Sequence, residues 1–145
     1  MLTKTAIDTP ITEVMTKKVM SVAPTDTMDK VKALFEQWNI HHVVVINDQQ
    51  EVLGLVSSTD YNRILNSFML FNKQRNEKLN KATLQAVMVR DIMAKQFAYV
   101  YETDSLMKAV DMFRENLFRA LPVVDRDKKL KGIITTYDLM IYAYK

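Results

Sequence analysis

Ser57 and Asp60 stand three residues apart, and Thr135 and Asp138 repeat the pair seventy-eight residues later. Each pair follows a short apolar run that opens on a glycine, Gly54-Leu55-Val56 and Gly132-Ile133-Ile134. These are the chain's only two glycines. A hydroxyl and a carboxylate three apart become neighbours once the backbone turns helical. Where a strand runs into a helix, the N–H groups of the first turn face outward and favour anionic oxygens. A carboxylate placed there is able to accept two hydrogen bonds from a ribose diol. The same residues also make ordinary helix caps, with an acid in the first turn that suits the helix dipole. One copy alone favours the cap; two copies at matching positions leave both readings open.

Basic residues recur in the same way. His41-His42 precedes the run Val43–Ile46, and Arg119-Ala120 stands at the equivalent place before Leu121. Neighbours on a strand point to opposite faces, so adjacent histidines chelate a metal poorly. There is no third histidine and no cysteine to complete a site. A cation at both strand entrances favours an anion as the thing it meets. Catalysis finds little support. No serine–histidine–acid spacing is recognisable, and two glycines this far apart cannot form one phosphate-cradling loop. The expectation is no catalytic residue and no metal.

The elements that must position these residues follow from pattern. Thr12-Glu13-Val14-Met15 reads as a short helical turn capped by Thr12, and Val19–Val22 as a strand. Pro24-Thr25-Asp26-Thr27 starts a helix whose apolar stripe is Met28, Val31, Leu34, Phe35 and Trp38. Trp38 is expected in the core or at a dimer interface. Val43–Ile46 and Val52–Val56 form a hairpin across the polar turn 47–50. A helix follows, capped by Ser57 or Ser58, with Ile64, Leu65, Phe68 and Met69 on one face. Residues 72–86 carry Lys73, Arg75, Lys78 and Lys81 without glycine or proline, which predicts a solvated helical connector. A nucleic-acid surface is disfavoured there, because only Phe71 offers a stacking platform.

The pattern then restarts: Asp91-Ile92-Met93, a strand over Phe97–Val100, Thr103-Asp104, and a stripe of Leu106, Ala109, Val110, Phe113 and Leu117. The hairpin of Leu121–Val124 and Leu130–Ile134 follows, then a final helix from about Thr136. At an offset of seventy-eight, residues 14–63 and 92–141 agree at ten positions: Met15, Lys17, Val22, Thr25, Asp26, Lys30, Phe35, Val45, Gly54 and Asp60. A unit of about 55 residues buries its own sheet poorly, and two such units can cover each other. The repeat predicts one pseudo-symmetric globule.

Composition agrees with a globular chain: 145 residues, 48% apolar and 26% charged. The absence of cysteine rules out disulfides and thiolate metal sites. No apolar run approaches the roughly 18 residues of a membrane span, and the first residues lack a signal-peptide core. A cytoplasmic location without membrane contact is expected. The net charge of +3 suits phosphates but is too mild to argue for nucleic acid.

The two halves resemble a tandem pair of CBS domains, a Bateman module, over about residues 10–145. The resemblance is carried by Val14-Met15-Thr16 with Ile92-Met93, by Leu121-Pro122-Val123-Val124-Asp125, and by the twin Gly-x-x-Ser/Thr-x-x-Asp elements. It implies an α/β (α+β) fold: two β-β-α type repeats, at 10–70 and 88–145, packed sheet to sheet with pseudo-two-fold symmetry around a helical connector at 71–87. It also implies two clefts between the repeats that bind an adenine nucleotide or related adenosyl ligand, with AMP, ADP or ATP foremost. Asp60 with Ser57, and Asp138 with Thr135, would hold ribose hydroxyls. Lys18, Val19 and Met20 would line the adenine slot for Asp138, and Gln96, Phe97 and Ala98 that for Asp60. His41, His42 and Arg119 would meet phosphate. Ile40, Leu55, Phe118 and Ile133 complete the candidate set. Ala120 departs from a doubly basic strand entrance, and Phe97 and Tyr137 are bulky, so the resemblance implies clefts of unequal affinity. The expected protein is a stand-alone, non-catalytic regulatory homodimer that passes its signal to an effector protein or through the dimer. The alternative is a ligand-free scaffold or dimerisation module; a nucleotide-processing enzyme is the third possibility.

Overall fold

The computed structural model describes residues 8–71, 77–116 and 118–144. The side chains of Phe68, Met69, Lys73, Arg75, Lys78 and Leu117 lie outside the described residues. Among the described residues, six strands and five α-helices follow one another. They are β1 (Ser21–Val22), α1 (Met28–Trp38), β2 (His42–Ile46), β3 (Val52–Ser57), α2 (Ser58–Phe71), α3 (Glu77–Ala86), β4 (Val100–Tyr101), α4 (Leu106–Asn116), β5 (Ala120–Val124), β6 (Leu130–Thr135) and α5 (Thr136–Ala143). The class is α+β, with two three-stranded sheets ordered β1-β2-β3 and β4-β5-β6. No helix among the described residues is long and apolar enough to cross a membrane.

The fold divides into two units. Unit I takes the described residues of 20–48 and 53–97; unit II takes those of 1–19, 49–52 and 98–145. Unit I is built on β2, whose Val43, Val44 and Val45 are fully buried. A strand covered on both faces needs such a β-branched run. β1 pairs with it in parallel, Val22 opposite Val45. Its core joins Val22, Met28, Val31, Val43, Val45 and Val56 to Leu84 of α3 and Val89. Each such side chain withdrawn from water contributes about 2 kcal/mol. The helix read as a solvated connector therefore also gives a fully buried leucine to this core.

Unit II repeats the plan. β4 runs parallel to β5, Val100 opposite Val123, and β6 runs antiparallel, Leu121 opposite Ile134 and Val123 opposite Gly132. Its core is Val100, Leu106, Ala109, Val110, Phe113, Leu121, Val123 and Ile134, together with Ile11 from the start of the chain.

Ile11 and Val89 mark what the linear repeat conceals. Each opens a single 3-10 turn, Ile11–Glu13 and Val89–Asp91. The Ile11 N–H donates to the Asp104 carbonyl at 3.1 Å, and the Leu106 N–H to that of Thr9 at 2.8 Å. In unit I the Val89 N–H donates to Asp26 at 2.8 Å and the Met28 N–H to Val87 at 2.9 Å. Each repeat's opening turn thus packs under the helix of the other repeat. The turn at 49–52 is likewise placed in unit II: the Val52 N–H donates to Lys128 at 3.2 Å and the Leu130 N–H to Gln50 at 2.9 Å.

Four local readings change or narrow. The first 3-10 turn starts from Pro10 without a side-chain cap, so Thr12 lies inside it. α1 starts from Thr27, and Asp26 turns back instead, its Oδ2 accepting the Ala23 N–H at 2.7 Å and Lys30 Nζ at 3.0 Å. Asp104 does the same for the Tyr101 N–H at 2.8 Å, with Lys108 at 3.4 Å. The shared aspartate and lysine of the two copies are turn and ion-pair residues. Trp38, at the last turn of α1, is 45% exposed and lies outside the core. The first strands are also shorter than the apolar runs, since β1 and β4 begin at Ser21 and Val100. Lys18, Val19, Met20, Phe97 and Ala98 precede them in irregular backbone.

Candidate functional site

Each hydroxyl–carboxylate element sits where a strand ends and a helix begins. β6 ends at Thr135, the N-cap of α5, and a capping box closes over it. The Asp138 N–H donates to Thr135 Oγ1 at 3.1 Å, while Asp138 Oδ2 accepts the Thr135 N–H at 2.9 Å and its hydroxyl at 3.1 Å. Ser57 and Asp60 repeat this between β3 and α2. The Asp60 N–H donates to Ser57 Oγ at 3.1 Å; Asp60 Oδ2 accepts the Ser57 N–H at 3.1 Å and its hydroxyl at 2.9 Å. An acid three residues after a Ser/Thr cap satisfies two otherwise unpaired donors reciprocally. The capping reading is therefore correct in both copies, and it uses one carboxylate oxygen of the two.

The other oxygen separates the copies. In unit II, Thr16 Oγ1 donates to Asp138 Oδ1 at 2.9 Å. Thr16 is held there by two backbone bonds to Ile133, at 2.8 and 2.9 Å. In unit I the equivalent residue is Ala94, bonded to Leu55 at 2.8 and 3.3 Å but without a hydroxyl. Asp60 Oδ1 instead has Arg63 Nη2 at 3.6 Å. Thr16 was absent from the candidate set. It lies between the matched positions Met15 and Lys17, where the mismatch of threonine with alanine carries no signal without the fold.

The glycines explain how that crossing segment comes so close. A Cβ on Gly132 would stand 2.7 Å from Met15 Sδ and 2.9 Å from the Thr16 carbonyl oxygen. On Gly54 it would stand 2.7 Å from the Ala94 carbonyl oxygen and 2.9 Å from Met93 Sδ. Neither glycine has positive φ. They are required for close approach, not for backbone freedom.

The basic residues at the strand entrances also join the turn. The Ser58 N–H donates to the His41 carbonyl at 2.8 Å, and the Thr136 N–H to that of Arg119 at 3.1 Å. His41 and Arg119 are both exposed. These bonds, with those of the capping boxes, engage the first and third helical N–H of α2 and α5. The expectation that the first-turn N–H groups stand ready for an anion is thereby reduced to the second.

Among the candidate residues, unit II holds Lys18, Val19, Ala98, Phe118, Arg119, Ile133, Thr135 and Asp138; unit I holds Met20, Ile40, His41, His42, Leu55, Ser57, Asp60 and Phe97. Each adenine-slot triplet changes unit at its last residue, and Ala98 packs against the unit II core. A cleft of about 240 Å³ elsewhere in unit II is lined by Tyr101, Glu102, Thr103, Val124, Asp125, Arg126 and Asp127, none of them candidates. Among the described residues no group of three or more His, Cys, Asp or Glu is placed to hold a metal.

Comparison with known proteins agrees with this architecture. The CBS-domain family model matches residues 11–67 and 89–145. Protein MJ1404 of Methanocaldococcus jannaschii is 30% identical over 96% of this chain, which spans 29% of that protein. Protein MJ1225 of the same organism is 27% identical over 91% of the chain, which spans 46% of it. The chain thus spans less than half of either relative. The solved structure of MJ1225 superposes with a TM-score of 0.79, covering 94% of this chain and 48% of that one. The solved structure of CBSX2 in complex with AMP superposes with a TM-score of 0.76 at 27% identity, covering 94% of this chain and 96% of that one. Two matches to the family model, one per repeat, and a sheet-to-helix turn closed twice by the same glycine, hydroxyl and aspartate lead to one conclusion: this chain belongs to the CBS-domain family.

Proposed function

We propose that the chain is a non-catalytic regulatory module that binds an adenine nucleotide or related adenosyl ligand at its two capped turns. The observation that carries this reading is the division of labour within each aspartate. Oδ2 of Asp60 and of Asp138 closes the cap, and Oδ1 is left to surface partners that a ribose hydroxyl is able to replace. A hydrogen bond of the Thr16 kind contributes about 1 kcal/mol, so its exchange for a ligand hydroxyl costs little. The AMP held by CBSX2, which this chain resembles over nearly its whole length, supports AMP, ADP or ATP as the ligand class. His41 and Arg119, fixed through their carbonyls to the helix starts, are the basic residues proposed to meet phosphate. Lys18, Val19, Met20, Phe97, Ala98 and the apolar Ile40, Leu55, Phe118 and Ile133 are the residues proposed to contact the base and sugar. The module works as a homodimer, and ligand alters the dimer or an effector bound to it.

Thermal unfolding against AMP, ADP, ATP and S-adenosylmethionine tests the reading. Ligand at 100 times its dissociation constant stabilises the fold by about 2.7 kcal/mol, near 8 °C in Tm for a chain of this size. Asp138→Asn and Asp60→Asn keep a capping oxygen and remove the charge, and each is expected to abolish the shift from its own turn. A panel with no shift would refute nucleotide binding. The competing reading, a ligand-free scaffold, draws on the Thr16–Asp138 bond, which satisfies that carboxylate without a ligand. It expects both asparagine variants to match the parent throughout the panel.

A further inference from the structure

β4 and β5 run parallel and end side by side, at Tyr101 and Val124. The chain leaves them in two directions, into α4 and into the turn back to β6. Connections that diverge at the carboxyl ends of parallel strands leave a crevice, the place where open sheets commonly receive ligands. The cleft of about 240 Å³ in unit II lies there. Its walls carry Glu102, Arg126 and Asp127, charges of both signs. None of the three makes a side-chain hydrogen bond or ion pair with another described residue. Glu102 is also half-buried. A carboxylate that gives up part of its hydration without a partner costs stability. At the matching positions unit I has Pro24, Asp48 and Gln49. The fold of the repeat does not require these charges.

The charges define the occupant. Asp125, also in the cleft wall, is already engaged. Its Oδ1 accepts the Asp127 and Lys129 N–H groups at 2.9 and 3.0 Å, and Lys131 Nζ lies 3.8 Å from its Oδ2. Two carboxylates and one guanidinium are left. Their complement is a molecule with one carboxylate and two cationic groups. A guanidinium holds a carboxylate through two parallel hydrogen bonds, and such charge-assisted bonds are the strong ones. Tyr101 and the buried Val124 add an apolar wall for the methylenes between those groups. Tyr101 is braced edge-on by the Tyr99 ring, with centroids 5.6 Å apart. The volume is below the roughly 300–1,000 Å³ of sites for drug-sized ligands, so the occupant is small. A nucleotide suits neither the volume nor the sign, since its phosphate would face Glu102 and Asp127.

We propose that this cleft binds a free basic amino acid such as lysine, its carboxylate on Arg126 and its two ammonium groups on Glu102 and Asp127. The site is separate from the capped turns and does not depend on the adenosyl reading.

Titration of the isotope-labelled full chain with L-lysine, followed by amide NMR, tests the site. Shifts are expected at residues 101–103 and 124–127 and not at the capped turns. Arg126→Gln and Glu102→Gln each remove one charge-assisted contact and are expected to weaken lysine by about tenfold or more. Neither side chain has a partner within the described chain, so both variants are expected to keep the parent's spectrum elsewhere. 1,5-Diaminopentane, which is lysine without its carboxylate, is expected to bind more weakly and to bind the parent and Arg126→Gln alike. L-Glutamate, with the opposite balance of charge, is expected to leave the cleft unmoved. A parallel titration with AMP is expected to leave residues 101–103 and 124–127 in place, so a failure of lysine binding and a failure of nucleotide binding are read separately. No lysine-dependent shift through the millimolar range would overturn the proposal. So would shifts centred on Ser57 and Thr135, or lysine affinity that survives both substitutions.

Discussion

Replacing Gly132 by alanine is a one-methyl perturbation whose outcome is set by geometry. In an extended strand with ordinary φ, alanine should stabilise by about 0.5–1 kcal/mol, because it narrows the unfolded ensemble. Here the new Cβ would meet Met15 Sδ at 2.7 Å and the Thr16 carbonyl oxygen at 2.9 Å. The thioether is able to swing aside. The carbonyl is not, because it accepts the Ile133 N–H at 2.9 Å. Overpacking of this kind costs about 1–3 kcal/mol. The net expectation is a loss of about 1–2 kcal/mol, or 3–6 °C in Tm. Gly54→Ala is expected to cost at least as much, since the backbone oxygen of Ala94 is the nearest atom there, at 2.7 Å. Denaturant unfolding of both variants measures this. Adding Met15→Ala to Gly132→Ala should recover part of the loss beyond additivity, leaving the carbonyl's share. Either glycine variant unfolding at or above the parent's midpoint would refute the close-approach explanation.

Other expectations follow from single contacts. Thr16→Ala removes an exposed hydrogen bond to Asp138 and makes unit II resemble unit I; the expected loss is under about 1 kcal/mol by urea unfolding. Burial pushes the Asp26 carboxyl up, but the Ala23 N–H and Lys30 outweigh it and hold the group below the ordinary carboxylate range. A folded value below the unfolded one gives stability that is present above about pH 4 and lost as pH falls through the folded value. Asp26→Asn should therefore lose less stability than the parent between about pH 5 and pH 2 in an acid titration of Tm. If adenine nucleotides bind, calorimetry should resolve two unequal sites, and Asp60→Asn and Asp138→Asn should each remove a different one.

Much of this was legible because the repeat doubles every signal. The strand–helix–strand–strand–helix order, the buried Val43–Val45 run and the caps at Ser57 and Thr135 all follow from local pattern. The exchange of opening turns did not, because Ile11 and Val89 are alike and each fits either repeat equally well by sequence. For Trp38, expected in the core or at a dimer interface, the core alternative falls for a different reason. The residue continues the stripe of α1, but it occupies the helix's last turn, where the left-handed residue Asn39 takes the chain away. The reason for two glycines was also hidden, since their neighbours Met15 and Met93 are distant in sequence from them.

The duplicated turn carries what the copies share, and their differences show where they have diverged. Glycine, hydroxyl and aspartate serve the cap and the crossing segment, so losing any of them costs stability with or without a ligand. The differing residues serve neither. Thr16 against Ala94 decides whether the outer carboxylate oxygen has a neutral donor; Arg63 against Ile141 decides whether it has a cation. An exposed pair at 3.6 Å, with Arg63 73% exposed, is worth about 0–1 kcal/mol, too little to be kept for stability alone. Ile141 at the same helical position removes that cation from unit II and puts an exposed apolar side chain on α5 in its place. One substitution thus alters the surroundings of the capping aspartate and the outer face of the helix together.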